Sequence, residues 1–349
     1  MLAHEVGEED PCQPMRTVTR IAFLAVLVGA SGALGASSAC KKQEAPPALP
    51  SRQGVEIINL GAMPHQPLRY QLTTGVKTAV EMEIETDIAA SSFQRTMPTT
   101  VMVMELAAED VLPDGNTKIR TTILRASARE RAGADAPVEA LNAQATMLSG
   151  VALTGTLTPR GRLQAPKLVG NASMPAKAAE GFAELVARSE EVAMLLPEPG
   201  VGVGAVWRMR KDASQLGIKM ETVTDIEVTA IEDKRVSYVM RTEVKGSDQH
   251  VAIEGVEVDI KNVKGHGRGQ GVIDLGRMVM LGEQSLELGF DIAADQAVSS
   301  MKMKTTKRMK PAADAAVAAP PAQPPPQAQP PQQAPKAESS KTPQDPGTH

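Results

Sequence analysis

The chain has 349 residues, of which 42% are apolar, and a formal net charge of −4. This charge gives no general attraction to nucleic acid, and one Trp, two Tyr and four Phe are too few for base-stacking surfaces. Two Cys cannot build a disulfide framework or a four-thiolate zinc site. We therefore expect no nucleic-acid partner and a core built from Leu, Val, Ile, Ala and Met.

A secretory signal is predicted at the N-terminus. Arg16 and Arg20 precede an apolar run over residues 21–30, which is too short to span a bilayer. Small residues follow this run and end at Cys40. The segment resembles a bacterial lipoprotein signal, which implies that Cys40 receives a diacylglyceryl thioether and becomes the mature N-terminus. Because Ser37 stands where such signals usually have Leu, cleavage by an ordinary signal peptidase, with Cys40 left free, is the alternative.

The residues around the apolar run extend this prediction. Residues 1–40 form the predicted signal peptide, but four acidic residues lie before position 11, where a signal needs positive charge. We therefore hypothesise that translation begins at Met15. Residues 41–64 are polar and contain Pro, which predicts a tether between membrane and domain. By similarity to enterobacterial lipoprotein sorting, Lys41 after the acylated Cys favours the outer membrane.

Residues 65–307 are predicted to form the folded body, which opens with strands. Apolar and polar residues alternate over 78–86, so that Val80 and Met82 face inward and Glu81 outward. A turn is expected at residues 113–116, because Pro, Asp, Gly and Asn follow one another there. A short helix is predicted within 136–149. The other strands predicted in this half are 68–72, 99–106, 117–125 and a hairpin over 151–163.

A long helix is predicted over residues 176–196. Phe182, Leu185 and Val192 recur at helical spacing, Pro175 suits the first turn, and Pro197 ends the segment. Strand patterns resume after it. They cover residues 201–209, 220–230, 235–244, 251–261, 267–274, 277–292 and 298–307.

The order of these elements predicts an α+β fold with curved antiparallel β-sheets. Gly155–Leu163 and Gly271–Met278 are similar hairpins, each ending one half of the body. We therefore expect two related lobes, residues 65–170 and 200–307, joined by the helix 176–196. Residues 308–349 are rich in Pro, Ala and Gln, which predicts a disordered tail that serves as a solubilising segment, a spacer or a Pro-rich docking peptide.

Two segments carry a family resemblance over residues 65–305. Leu68-Arg-Tyr opens the body, and the second half opens on Leu196–Trp207, which contains Val-Gly-Val-Gly-Ala-Val-Trp. Both are similar to segments of uncharacterised bacterial envelope lipoproteins, which implies an envelope domain of unknown function without catalytic residues. The fold expected here also resembles periplasmic lipoprotein and lipid carriers, in which a curved antiparallel sheet encloses an apolar cavity; this analogy implies a lipid ligand.

The sequence predicts no enzyme and no cofactor or metal. The histidines of the body are His65, His250 and His266, and none lies near a nucleophile elbow or an acidic cluster of known spacing. No Cys after Cys40 could act as nucleophile. The many Asp and Glu residues mostly fall at alternate strand positions, which indicates a solvated face.

The run Gly265–Gly271 offers one candidate site. In a strand its four glycines share one face, whereas Lys264, His266 and Arg268 share the other. The structural interpretation is that the glycines permit a bend or a close approach of another backbone. The functional interpretation is that the three basic residues bind an anion, such as a lipid headgroup or a cell-wall polymer.

Methionines offer a second candidate site. Met102/Met104 are two residues apart on a strand, as are two later Met pairs. Thioethers suit Cu(I), but the residues of each pair share a face and Met fills irregular cores, so we favour core packing. We expect Met102 and Met104 to line an apolar cavity together with Leu153 and Leu185.

The sequence thus predicts a noncatalytic, lipid-anchored protein of the bacterial cell envelope that binds an apolar or amphipathic ligand. The alternative is a structural or partner-interaction lipoprotein with a fully packed core and no small ligand.

Overall fold

Long antiparallel strands dominate the computed structural model, which describes residues 54–170, 193–215, 218–253, 256–294 and 297–312. Of these residues, 68% lie in strands and 4% in helix. The alternation of residue types explains this composition, because Val80 and Met82 are buried on one face of their strand whereas Glu81 lies on the other. We call the face with the apolar clusters the inner face and the opposite one the outer face.

The bounds of the elements follow the chain. The first half contains β1 (Gly54–Asn59), β2 (Lys77–Ala90), β3 (Phe93–Thr96), β4 (Thr99–Val111), β5 (Thr117–Arg129), the helix α1 (Val138–Thr146), β6 (Ala152–Leu157) and β7 (Leu163–Val169). The second half contains β8 (Val206–Gln215), β9 (Ile218–Glu232), β10 (Arg235–Lys245), β11 (Gln249–Ile253), β12 (Val256–Asp274), β13 (Val279–Ala294) and β14 (Ala297–Pro311).

These strands form one antiparallel sheet. Its order is β1-β8-β9-β10-β12-β13-β14-β2-β4-β5-β6-β7, while β3 pairs with β2 and β11 with β12. The two halves of the body join where β14 pairs with β2, with Met303 opposite Ile88. The last strand of the body therefore completes the sheet beside its first long strand.

The predicted α+β fold with two lobes and a joining helix is wrong. Residues 176–192 of that helix lie outside the described residues, and residues 193–196 are not helical. Their backbone bonds to other segments instead, because the amide of Leu196 donates to the carbonyl of Arg160 (2.9 Å) and the carbonyl of Leu195 accepts from Trp207 Nε1 (3.2 Å). The fold is nearly all β, and direct pairing of β14 with β2 connects the halves.

Smaller predictions have mixed outcomes. The hairpin β6–β7, the helix α1 and the antiparallel strands are confirmed. Residues 68–72 are not a strand, although Leu68 and Tyr70 are buried there. The single strand predicted over 251–261 is a hairpin of β11 and β12. At the boundaries, β1 lies within the predicted tether, β14 runs to Pro311, and residues 313–349 lie outside the described residues.

Three apolar clusters lie on the inner face. The first joins the two ends of the strand order, since Trp207 on β8 packs in the same cluster as Leu157 and Leu163 of β6 and β7. The second surrounds Phe290 on β13, and the third surrounds Met82 on β2. The sheet must therefore curve so that its first and last strands cover the same core.

The glycines of β12 serve this curvature. Gly265, Gly267, Gly269 and Gly271 lie on the inner face, in the row of Val263 and Ile273. A Cβ atom at Gly265 would lie 2.6 Å from the carbonyl oxygen of Glu287 on β13, and one at Gly267 would lie 2.9 Å from that of Ser285. Because the neighbouring backbone comes this close, a side chain does not fit there. This geometry supports the structural interpretation of the glycine run.

Candidate functional site: a basic groove on the outer face

The basic residues of β12 lie on the outer face of the sheet. Lys264, His266 and Arg268 are exposed and alternate with the inward glycines. Lys264 pairs with Gly289 on the neighbouring strand β13. On the other side of β13, Gly289 pairs with Lys302 of β14. Two lysines thus flank a position that has no side chain.

A groove of about 510 Å³ crosses the outer face at this position. Its volume lies in the range of small-molecule sites. Charged and polar residues form its walls, and Ala89 and Gly289 lie on the outer face between them. Ile88, Leu288 and Met303 border the groove only from below, because their side chains are buried in the second apolar cluster on the inner face. The remaining lining residues are Asp87, Gln94, Lys264, Gly265, His266, Glu287, Lys302 and Lys304.

Both carboxylates of the groove already have cationic partners. Glu287 lies 3.3 Å from Nζ of Lys304 and 3.6 Å from Nε2 of His266. Asp87 accepts two hydrogen bonds of 3.0 Å from the guanidinium of Arg131. The negative charge of the lining is therefore largely compensated. Arg131 binds both oxygens of the Asp87 carboxylate, and this bidentate geometry makes a strong ion pair.

The two lysines that flank Gly289 differ from these residues. Neither Lys264 nor Lys302 forms an ion pair with any residue that the structure describes. Asp291 lies nearby, and its pKa is lowered by hydrogen bonds from Ser300 and Asn262 and by the charge of Lys264. It remains outside ion-pair distance, so both ammonium groups can accept a further anion.

Arg268 lies outside the groove, and Arg241 of β10 is its direct neighbour across the strand pair. Like charges in this position disfavour the pairing. Within the described part of the chain, neither guanidinium has an ion-pair partner, and the nearby Asp225 is engaged by Arg208 at 2.7 and 2.8 Å. The outer face therefore stays basic beyond the groove.

The predicted methionine residues lie elsewhere. Met102 belongs to the third apolar cluster on the inner face, opposite Met82, and Met104 packs against that cluster. Leu153 packs against the first cluster instead, and Leu185 lies outside the described residues. The structure therefore divides the residues that we expected to line one cavity.

The other histidines of the body, His65 and His250, do not line the groove. His250 binds Asp259 at 2.8 Å and Glu257 at 3.0 Å, which raises the pKa of the exposed imidazole, and His65 bonds only the carbonyl of Gly61. Over the described ranges, no set of three or more His, Cys, Asp and Glu side chains could hold a metal. Cys40 lies outside the described residues.

Sequence reasoning missed Lys302 and Gly289. A signal existed, because only two residues separate β13 from β14 in sequence and the register can be counted outward from Ala294 opposite Ala297. Counting five residues along each strand places Gly289 opposite Lys302. The pairing with Lys264 can be counted in the same way, because ten residues outward from Asp274 opposite Val279, Lys264 stands opposite Gly289, and the bulge of β12 lies only beyond Lys264.

No helix within the described ranges is both long and apolar enough to cross a membrane. No family model matches the chain. No curated protein is significantly similar to it in sequence.

Proposed function

We propose that this protein is a noncatalytic envelope protein that binds an anionic amphiphile in the groove on its outer face. The observation that carries the proposal is the pair Lys264 and Lys302, two cations without ion-pair partners among the described residues on either side of Gly289. An amphiphile is a molecule that has a charged headgroup and an apolar chain.

The two parts of such a ligand match two parts of the groove. Its anionic headgroup binds between Lys264 and Lys302, where lysine ammonium groups provide charge without demanding a fixed hydrogen-bond direction. Its apolar chain lies over Ala89 and Gly289 and along the aliphatic stems of the groove lysines, where contact removes apolar surface from water. The groove lies on an exposed face of the sheet, so the ligand can exchange with a membrane.

The N-terminal segment would place this groove next to its ligand. In this proposal Cys40 is acylated, and residues 41–53 and β1 lead from the membrane to the sheet. A single acyl chain anchors only marginally, whereas the several chains of a lipoprotein anchor stably. Replacing Cys40 with Ala should release the protein from the membrane fraction of bacteria that express it, and a variant that stays there would exclude this anchor.

Titration with monododecyl phosphate, followed by calorimetry, tests the groove. The variant Lys264→Ala/Lys302→Ala should bind it more weakly by about three- to tenfold, because each exposed charge contact contributes only ~0.2–1 kcal/mol. The matched control is Lys77→Ala/Lys118→Ala, which removes the same charge from two exposed lysines that do not line the groove. Dodecyl maltoside, which is uncharged, should bind both variants equally.

Equal binding of monododecyl phosphate by the two double variants would exclude the groove as the headgroup site. Equal loss in both variants would show that net charge, and not this site, attracts the ligand. Salt provides a further check, because exposed contacts weaken as ionic strength rises.

A second candidate function is interaction with a partner protein. β1 is the end of the strand order, and Ile58 beside its edge is 50% exposed. Exposed apolar residues at a strand edge favour pairing with another chain. This function predicts no heat from the amphiphile titration, together with a cross-linked complex in cells that Ile58→Lys abolishes.

A further inference from the structure

Lys307 of β14 points to the inner face of the sheet. Its neighbours Arg308 and Lys310 point outward and form ion pairs with carboxylates of β2 and β13 at 2.9–3.3 Å. Lys307 lies in the other row of the strand, between Thr305 and Met309, and is partly buried there. A lysine in such a place is uncommon unless it has a partner.

The strands beside Lys307 offer no anion. Among the described residues, all acidic side chains of β2 and β13 alternate onto the outer face, and β14 has none. In the described part of the chain, the ammonium group has neither an ion pair nor a hydrogen bond. Burial alone lowers the pKa of Lys307. A charge that is partly buried has lost part of its hydration, so an anionic partner would stabilise it.

The surroundings of Lys307 define what that partner must be. Across β13 its neighbour is Gln284, which faces the hydroxyl group of Tyr238 and opposes the rise that burial gives to the pKa of that group. Across β2 its neighbour is Ile84, which packs with Met82 and Met309 in the third apolar cluster. One side is thus polar and uncharged, and the other is apolar and flexible.

We infer that the inner face holds a second ligand site, at which Lys307 binds the carboxylate of an apolar acid. Gln284 donates a second hydrogen bond to that carboxylate, and the aliphatic chain lies against Ile84, Met82 and Met309. This inference goes beyond the proposed function, because the site lies on the opposite face of the sheet from Lys264 and Lys302 and shares no residue with the groove. Either site can exist without the other.

Fluorescence titration of the full chain with 11-(dansylamino)undecanoate tests the site. The variant Lys307→Met keeps most of the length and apolar character of the side chain and removes its charge, so affinity should fall by about tenfold, as for the loss of a hydrogen bond to a charged group. Lys307→Arg should bind within about threefold of the wild type, because the positive charge is kept. Because the probe is itself an anionic amphiphile and can also bind the groove, the Lys307 variants are compared in the Lys264→Ala/Lys302→Ala background, which removes the contribution of the groove.

Equal affinity of Lys307→Met and wild type would overturn the inference. Folding is checked by thermal unfolding, in which Lys307→Met should match or exceed the wild type because it removes a partly buried charge that has no partner among the described residues. A second measurement needs no variant. Reductive methylation followed by mass spectrometry should show that dansylundecanoate protects Lys307 but not the exposed Lys118, and equal labelling of Lys307 with and without the probe would also overturn the inference.

Discussion

Nε1 of Trp207 donates a hydrogen bond of 3.2 Å to the carbonyl oxygen of Leu195. Trp207 is fully buried at the start of β8, and Leu195 belongs to the extended segment that replaces the end of the predicted helix. The same segment bonds the loop of the β6–β7 hairpin through Leu196 and Arg160. This short stretch therefore connects β8, near one end of the strand order, with the β6–β7 hairpin at the other end.

This relationship predicts the effect of two substitutions. Trp207→Phe keeps most of the ring but leaves the carbonyl of Leu195 without its donor, so the free energy of unfolding should fall by roughly 1–3 kcal/mol. Trp207→Ala also leaves a cavity and should cost ~3–5 kcal/mol. Urea denaturation measures both values. Equal stability of Trp207→Phe and the wild type would show that the bond contributes nothing.

Two glycine substitutions separate curvature from binding. Gly265→Ala should destabilise the sheet, because its Cβ would meet the carbonyl of Glu287 at 2.6 Å. Gly289→Ala should fold normally, since the nearest atoms lie 3.8 Å away, but its methyl group enters the groove between Lys264 and Lys302. Thermal unfolding and monododecyl phosphate titration should therefore give opposite results for the two variants. A stable Gly265→Ala protein would contradict the explanation of the glycine run.

The sequence predicted which face each strand residue occupies better than it predicted the neighbours of that residue. Alternation placed Lys264, His266 and Arg268 on one face, as the structure shows. Alternation alone could not place Lys302 beside Gly289 and Lys264. The residues that meet across adjacent strands depend on strand order and register, which alternation does not give. The pairing of β14 with β2 joins residues more than 200 positions apart, such as Met303 and Ile88, and no local pattern encodes it.

The wrong prediction of helix for residues 193–196 has a similar cause. Apolar residues at 193–196 fit the end of a helix as well as a buried extended segment. The choice depends on whether the backbone bonds itself or other segments, and here the partners are Arg160 and Trp207, which lie outside that segment of sequence. Tertiary hydrogen bonds override local propensity at such positions.

Acid should weaken the charge pairs of the outer face. Hydrogen bonding to Arg208 lowers the pKa of Asp225, and hydrogen bonding to Lys310 lowers that of Glu83. Because both pKa values are lower in the folded state, these groups stabilise the fold above their ordinary values of 3.8 and 4.5, and the contribution is lost as pH falls through the lowered values.

Comparison of Asp225→Asn with the wild type measures this effect. Asp225 is 38% exposed, so the difference in unfolding free energy at neutral pH should be only ~0.5–1 kcal/mol. It should shrink as pH falls below about 4, where the wild-type carboxyl becomes protonated. A difference that stays constant down to the acid transition would show that Asp225 acts through its shape and not its charge.

Arg131 should control how well the groove attracts anions, although it does not line the groove. Its guanidinium holds the carboxylate of Asp87 through two bonds of 3.0 Å. Arg131→Met would leave this carboxylate uncompensated in the groove and should weaken monododecyl phosphate binding about threefold, since like charges repel at this distance. Asp87→Asn in the same background should restore the affinity. Because the two changes cancel only if the charge of Asp87 is the cause, failure of the double variant to recover would show that Arg131 supports the groove by packing instead.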